Sequence, residues 1–220
     1  YIVGGHTGSG YWIDTKRATT LPGLYAAGDV AGGSPQKYVT GCFAEGEIAA
    51  FAALEYIRDK DHLLPAAREI EQRLETVNAF LRGETGPYTA EDIEDAMQKT
   101  MDDYAGGISS GYSFNLQKLR VAKSRIEELL VLSQKLKAGD GHELLLIHEV
   151  IDRLYVCKVL IHHLEARKET RWHVFQENAD YPARDDEHWL RFVNSRWENG
   201  EVKIILRDLV EKDEVYEHND

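Results

Sequence analysis

Leu21–Ile57, LPGLYAAGDVAGGSPQKYVTGCFAEGEIAAFAALEYI, reads as strand, turn, glycine-rich loop and helix. Leu24-Tyr25-Ala26-Ala27 is an apolar run of the length of a short buried strand. Gly28-Asp29 ends it, with one residue suited to a tight turn and one carboxylate. Gly32, Gly33 and Pro35 keep the next residues irregular. From Gly41 the spacing turns helical, through Phe43, Glu45, Ile48, Ala49, Ala52, Ala53, Tyr56 and Ile57. Small residues dominate this helix, so its backbone can lie close to a sheet or a flat ligand. Unpaired amides at a helix start attract an electron-rich group, such as a phosphate or a ring carbonyl. A carboxylate just after a strand suits a ribose or ribityl hydroxyl. The pattern points to one ligand with a polyol chain and a polar ring.

The chain around this stretch has 220 residues, room for one or two domains and a sizeable core. Apolar residues make up 43% and charged residues 29%, within the globular range. The net charge of −12 argues against nucleic acid as a partner, because such binders carry a basic face. A small anionic substrate stays compatible with it. Cys42 and Cys157 form no CxxC pair, and read as reduced thiols of a cytoplasmic protein. No apolar run has membrane-spanning length, and no signal peptide is recognisable.

Upstream, Tyr1–Val3 and Tyr11–Ile13 read as short strands around the turn Gly4–Gly10. This glycine-dense run has no helix behind it, so it fails as a dinucleotide fingerprint. His6, flanked by turn glycines, can approach a ligand closely, or serve as a turn residue without chemical role. Asp14-Thr15-Lys16 and Leu21-Pro22-Gly23 read as turns. Ten of the 18 glycines fall before residue 47, and the opening has too few strands to close a sheet. Together with Tyr1 in place of Met, this is read as the C-terminal part of a longer protein, cut inside a nucleotide-binding domain.

Downstream, the charged run Arg58–Pro65 marks a domain boundary. Four helices are expected beyond it: Ala66–Leu81, Ala90–Tyr104 with Thr89 as N-cap, Asn115–Ala138 and His142–Lys168. The last two, joined by Gly139-Asp140-Gly141, should pack antiparallel with the shorter pair beside them. His142, His148, His162 and His163 lack the i, i+4 pairing of a helical zinc site, so no metal is expected. In Glu165–Trp172 three cations, two carboxylates and an indole converge on a helix end. That pattern is either an ion-paired cap or an anion clamp built on arginine. A polar turn, Asp180–Trp189, precedes a hairpin-like end over Arg196–Ile204, and Glu211–Asp220 is an acidic tail.

Leu21–Ile57, Arg167–Arg171 and Asp180–Asp186 resemble segments of the fumarate reductase and succinate dehydrogenase flavoprotein superfamily. Within it, the adenylylsulfate reductase alpha subunits are the closer match. The likeness rests on Gly5-His6-Thr7-Gly8, Gly28-Asp29 with Gly32–Pro35, and Gly41–Gly46. It extends through Met101–Ile108, His142–Leu145, Glu169–Trp172 and Phe192–Trp197. One departure stands out. Fumarate reductases carry Asn-Arg-Leu-Gly before the flavin helix, where the Arg grips a dicarboxylate; here Tyr38-Val39-Thr40-Gly41 replaces it, and Val39 cannot bind a carboxylate.

The resemblance implies an α+β, mostly helical fold. Residues 1–58 would end an FAD-binding α/β domain, and 59–220 would form an antiparallel helical bundle with a β-hairpin tail. It implies an FAD-dependent oxidoreductase interconverting adenylylsulfate with sulfite and AMP, and a beta subunit carrying iron–sulfur clusters. On that reading His6 is catalytic, facing substrate. Gly28, Asp29, Gly41, Cys42, Phe43, Ala44 and Glu45 hold the cofactor, with Asp29 on the ribityl chain and the amides of Gly41–Glu45 at the pyrimidine end. Arg171 and Trp172 support the nucleotide or the packing. The 220 residues alone are expected to be inactive. The alternatives are a related flavoenzyme of another small organic acid, and a helical domain serving mainly as a subunit-docking module.

Overall fold

The computed structural model describes residues 9–33, 38–60, 66–84, 86–171 and 176–209. Tyr1–Val3, His6, the loop at Ser34-Pro35, the end of the charged linker, Trp172 and the acidic tail lie outside the described residues. The rest falls in two compact units, divided along the chain between Leu64 and Pro65.

The first unit holds one long helix, α1 (Val39–Ile57), and the irregular segment before it. The strand expected over Leu24–Ala27 is reduced to isolated bridges: Tyr25 pairs with Ala18, Ile13 with Thr19 and Tyr11 with Ala31. The reason is local. Asp14 Oδ1 accepts the Lys16 and Ala18 amides and folds residues 14–18 into a turn, and Arg17 sits there at φ 68°. The Leu21–Leu24 turn follows at once. Three to four residues between turns leave room for single bridges only. On the other side, α1 begins at Val39, two residues before the apolar spacing starts.

The second unit is the bundle. It runs α2 (Ala67–Arg82), α3 (Ala90–Tyr104), β1 (Ser113–Phe114), α4 (Leu116–Ser133), α5 (Gly141–Ala166), β2 (Glu177–Asn178), α6 (Asp186–Trp189), β3 (Phe192–Glu198) and β4 (Glu201–Arg207). Its helix starts follow from side chains. Thr89 and Asp92 form a reciprocal capping box on α3, with Asp92 N–H donating to Thr89 Oγ1 at 3.1 Å and Thr89 N–H to Asp92 Oδ2 at 2.8 Å. Asn115 caps α4, and Asp140 Oδ1 accepts the His142 and Glu143 amides at the start of α5. Replacing Thr89 with alanine is expected to lower stability by about 1 kcal/mol, read as a shift of the urea midpoint without a change in slope.

α4 stops five residues earlier than its apolar spacing extends. After Ser133 the chain tightens, with Lys135 N–H on Leu132 O and Leu136 N–H on Ser133 O, and then Ala138 N–H donates to Phe80 O of α2. Leu136 and Ala138 are thus buried outside the helix. The core lies where α3, α4 and α5 meet. Ile93 and Met97 of α3, Leu119, Ile126 and Leu129 of α4, and Ile147, Val150, Leu154 and Ile161 of α5 belong to it. The α5 positions recur at three, four and seven residues, one face of a helix.

β3 and β4 form an antiparallel hairpin from Phe192↔Arg207 to Glu198↔Glu201, longer at both ends than its sequence signal. Asn199 and Gly200 turn it with φ of 51° and 84°, the left-handed pair that two-residue hairpins favour. The hairpin seats on α5, where His163 Nε2 lies 2.9 Å from Ser195 Oγ and Tyr155 meets Trp197 edge-on. Burial, helped by His162 and Arg167, pushes His163 below the ordinary histidine range. β1 and β2 add a two-residue parallel pair.

Candidate functional site

In the first unit the sequence-predicted residues converge on the start of α1. Ala27 leads into a 3-10 turn, Gly28–Val30. Gly28 is buried at φ 73°, and a Cβ there would stand 3.0 Å from Cys42 Sγ and 3.3 Å from its Cβ. Both facts require glycine at this position. Cys42, half-buried, therefore packs against the Gly28 backbone. Asp29, next along the turn, is exposed.

The helix starts at Val39, and this shifts its unpaired donors. Cys42 N–H already bonds to Tyr38 O at 2.8 Å, and Phe43, Ala44 and Glu45 are inside the helix. The first amides are those of Val39, Thr40 and Gly41, and no side chain of Tyr38 caps them. Val39 and Thr40 stand exposed, Val39 at 72%. Phe43 and Ala44 also face outward, whereas Glu45 is only 4% exposed.

Glu45 turns inward. Its Oε2 accepts the Gly28 amide at 3.1 Å and lies 3.6 Å from Arg17 Nε. The sequence singles out Glu45 for its amide at the helix start; the role of its buried carboxylate has no local signature. Two more contacts tie the same segment to α1: Tyr25 Oη donates to Ala52 O, and Lys16 Nζ pairs with Glu55 at 2.8 Å.

In the second unit, Arg167–Arg171 resolves into a structural network. Glu169, with its side chain fully buried, accepts Arg167 Nη1 at 2.5 Å, Arg171 Nε at 2.8 Å and Nη2 at 3.0 Å, and the Asp185 amide at 3.0 Å. Arg171 Nη1 continues to Asp186, which Arg184 grips with two nitrogens at 2.8 Å. Burial opposes ionisation of Glu169, but the Asp185 amide and the Arg171 and Arg167 guanidiniums outweigh it and hold the carboxyl below its usual range. Arg171 is thus committed to two internal carboxylates, which is the ion-paired alternative of the sequence pattern. Thr170 Oγ1 locks the same corner by donating to Tyr181 O and accepting the Asn178 amide.

The four helix histidines are dispersed. His148 Nε2 lies 3.1 Å from Val77 O, His162 Nδ1 lies 2.7 Å from Lys158 O, and His163 meets Ser195. Among the described residues no group of three or more His, Cys, Asp or Glu is arranged to hold a metal, and no helix is long and apolar enough to cross a membrane.

Residues 94–217, more than half the chain, match the family described as fumarate reductase flavoprotein C-term. The chain belongs to this family. Among similar proteins, the adenylylsulfate reductase subunit alpha from Megalodesulfovibrio gigas is 29% identical over 208 residues, 87% of this chain and 31% of that one. The structure of adenylylsulfate reductase from Archaeoglobus fulgidus superposes with a TM-score of 0.82 at 31% identity, over 93% of this chain and 34% of that one. An adenosine-5-phosphosulfate reductase in complex with sulfite, as a covalent adduct, gives a TM-score of 0.82 at 32% identity over the same shares. This member of the flavoprotein C-terminal family therefore spans about a third of the length of the relatives it matches. The mostly helical bundle with its hairpin is the fold these relatives share.

Proposed function

We propose that this chain is the C-terminal part of the flavoprotein subunit of an FAD-dependent oxidoreductase of the adenylylsulfate reductase type, reducing adenylylsulfate with two electrons to sulfite and AMP or running the reverse. The observation that carries this reading is the likeness to a reductase structure that holds sulfite, joined to the absence of a cation at Val39.

The residues present fit the ring and polyol end of FAD. The uncapped amides of Val39, Thr40 and Gly41 supply donors for an electron-rich ring edge, and the exposed Asp29 carboxylate supplies an acceptor for a ribityl hydroxyl. Bound FAD supplies the two-electron chemistry. Gly28 and Cys42 shape the floor under Asp29, and the outward Phe43 and Ala44 flank the helix start. Amide donors at such an edge stabilise negative charge on a reduced ring. His6 is the proposed catalytic group on the substrate side. Arg171 acts through packing, and Trp172 is proposed to support the nucleotide or the packing. An iron–sulfur beta subunit is the proposed electron partner, and the cytoplasm the proposed location.

A fumarate- or succinate-type reaction is the second reading, favoured by the family to which the chain belongs. Val39 counts against it, since it puts no cation where fumarate reductases carry the arginine that grips a dicarboxylate. The deciding experiment takes the full-length protein reconstituted with FAD and titrates it with sulfite, then AMP. Bleaching of the flavin absorbance by sulfite, altered by AMP, is expected. An unresponsive flavin, or turnover of succinate or fumarate, overturns the proposal.

A further inference from the structure

We propose that Glu45 is a positioning residue, whose buried carboxylate holds the Gly28-Asp29 turn against the first turns of α1 and so sets the carboxylate of Asp29 relative to the helix amides. This deepens the flavin reading and rests on it.

Three segments meet at this carboxylate. Gly28 gives it a backbone N–H at 3.1 Å, Arg17 brings a guanidinium nitrogen to 3.6 Å, and α1 carries it. The residues it joins are themselves unusual. Gly28 has a left-handed φ of 73° with a tight 3.0 Å approach of Cys42 Sγ to its Cβ position, and Arg17 has φ 68°, uncommon outside glycine. Arg17 also takes the Ala26 amide on its carbonyl oxygen at 3.0 Å, so its backbone and side chain brace the same turn.

A carboxylate buried among small residues costs stability unless it is paired and hydrogen-bonded. Generic packing against Gly41 and Ala52, the other buried residues of α1, would be served by an apolar side chain. The acceptor is needed for the Gly28 amide, which no helix or sheet ladder satisfies. Removing it leaves a buried donor unpaired and frees the turn that carries Asp29. The inward course of the side chain separates this role from direct contact with a ligand at the exposed helix start.

The test compares Glu45→Ala and Glu45→Gln in the full-length protein. FAD affinity is read by equilibrium dialysis, and Gly28 protection by amide hydrogen exchange. Glu45→Ala is expected to weaken FAD by about tenfold or more and to speed Gly28 exchange by a similar factor, as for loss of one charge-assisted hydrogen bond. Glu45→Gln keeps an oxygen acceptor and is expected to restore both to within about threefold. FAD affinity unchanged in Glu45→Ala, or equal losses in both variants, overturns the positioning role. A wild-type protein that binds no FAD sinks the flavin reading instead; Gly28 exchange then still decides the tether, since unchanged exchange in Glu45→Ala refutes it. Should Glu45→Ala fail to fold, the Gln variant carries the comparison: loss of Gly28 protection there overturns the hydrogen-bond argument.

Discussion

Glu169→Ala is expected to destabilise the helical unit by about 3–5 kcal/mol, seen as a large drop in the urea midpoint. The size follows from what the substitution strands. Arg167 and Arg171 each lose a carboxylate within 3.0 Å, and the Asp185 amide loses its acceptor, all in a corner where the Glu169 side chain has no solvent exposure. Arg171 keeps Asp186 and Arg167 keeps the Trp189 and Arg191 carbonyls, but breaking a buried pair by removing one partner costs far more than the net worth of the pair. Arg184→Ala is the matched control. Arg184 grips Asp186 in the same chain of ion pairs but from an exposed position, so its removal is expected to change little.

The same network fixes an acid dependence. The Glu169 carboxyl is held below its ordinary value of 4.5, so its ionised form contributes stability that is fully present above that value. The contribution fades as pH falls through the lowered value. Asp186, held down by Arg184 and Arg171, and Asp185, held down by the His188 amide, titrate in the same direction. Urea midpoints measured between pH 6 and pH 3 should therefore fall for the wild type, and less steeply for Glu169→Gln. Parallel slopes would deny Glu169 this role.

This network shows where sequence reading ends. Arg167, Glu169 and Arg171 alternate, which puts them on one side of an extended segment, but the partners Asp185 and Asp186 lie about fifteen residues on, beyond the reach of any local pattern. The start of α3 was legible because its cap, Thr89, is adjacent to it; Asn115 and Asp140 also cap α4 and α5, but by type they read as the first helical residue and as part of a glycine-rich break. The end of α4 was not, because Leu136 and Ala138 keep helical spacing while the backbone bond from Ala138 to Phe80 takes the chain away. At the candidate site the converse holds. Gly28 and Asp29 could be singled out by type, since turn and carboxylate each have a local signature, whereas the helix start reads from the spacing at Gly41 and lies at Val39. The inward turn of Glu45 depends on Arg17 and Gly28 arriving from earlier in the chain, and composition records neither.

Leu154→Ala is the second large effect, expected to cost about 2–5 kcal/mol. Leu154 has no solvent exposure and sits in the middle of α5, between Val150 and Ile161 on the face that meets α3 and α4. Truncation removes the transfer energy of three carbons and leaves a cavity that close-packed neighbours on three helices fill only in part. Val156, two residues on, is the control. It lies on the opposite side of the same helix at 66% exposure, so Val156→Ala should move the midpoint little and slightly raise helix propensity. Equal effects from the two would mean that α5 is not held by the Leu154 face. The comparison also separates the two units. The core of α3, α4 and α5 contains no residue of the candidate site around Gly28 and α1. In the full-length protein, Leu154→Ala should therefore lower the melting temperature with FAD affinity, measured well below that temperature, close to wild type, whereas Glu45→Ala should weaken FAD binding measured at the same temperature.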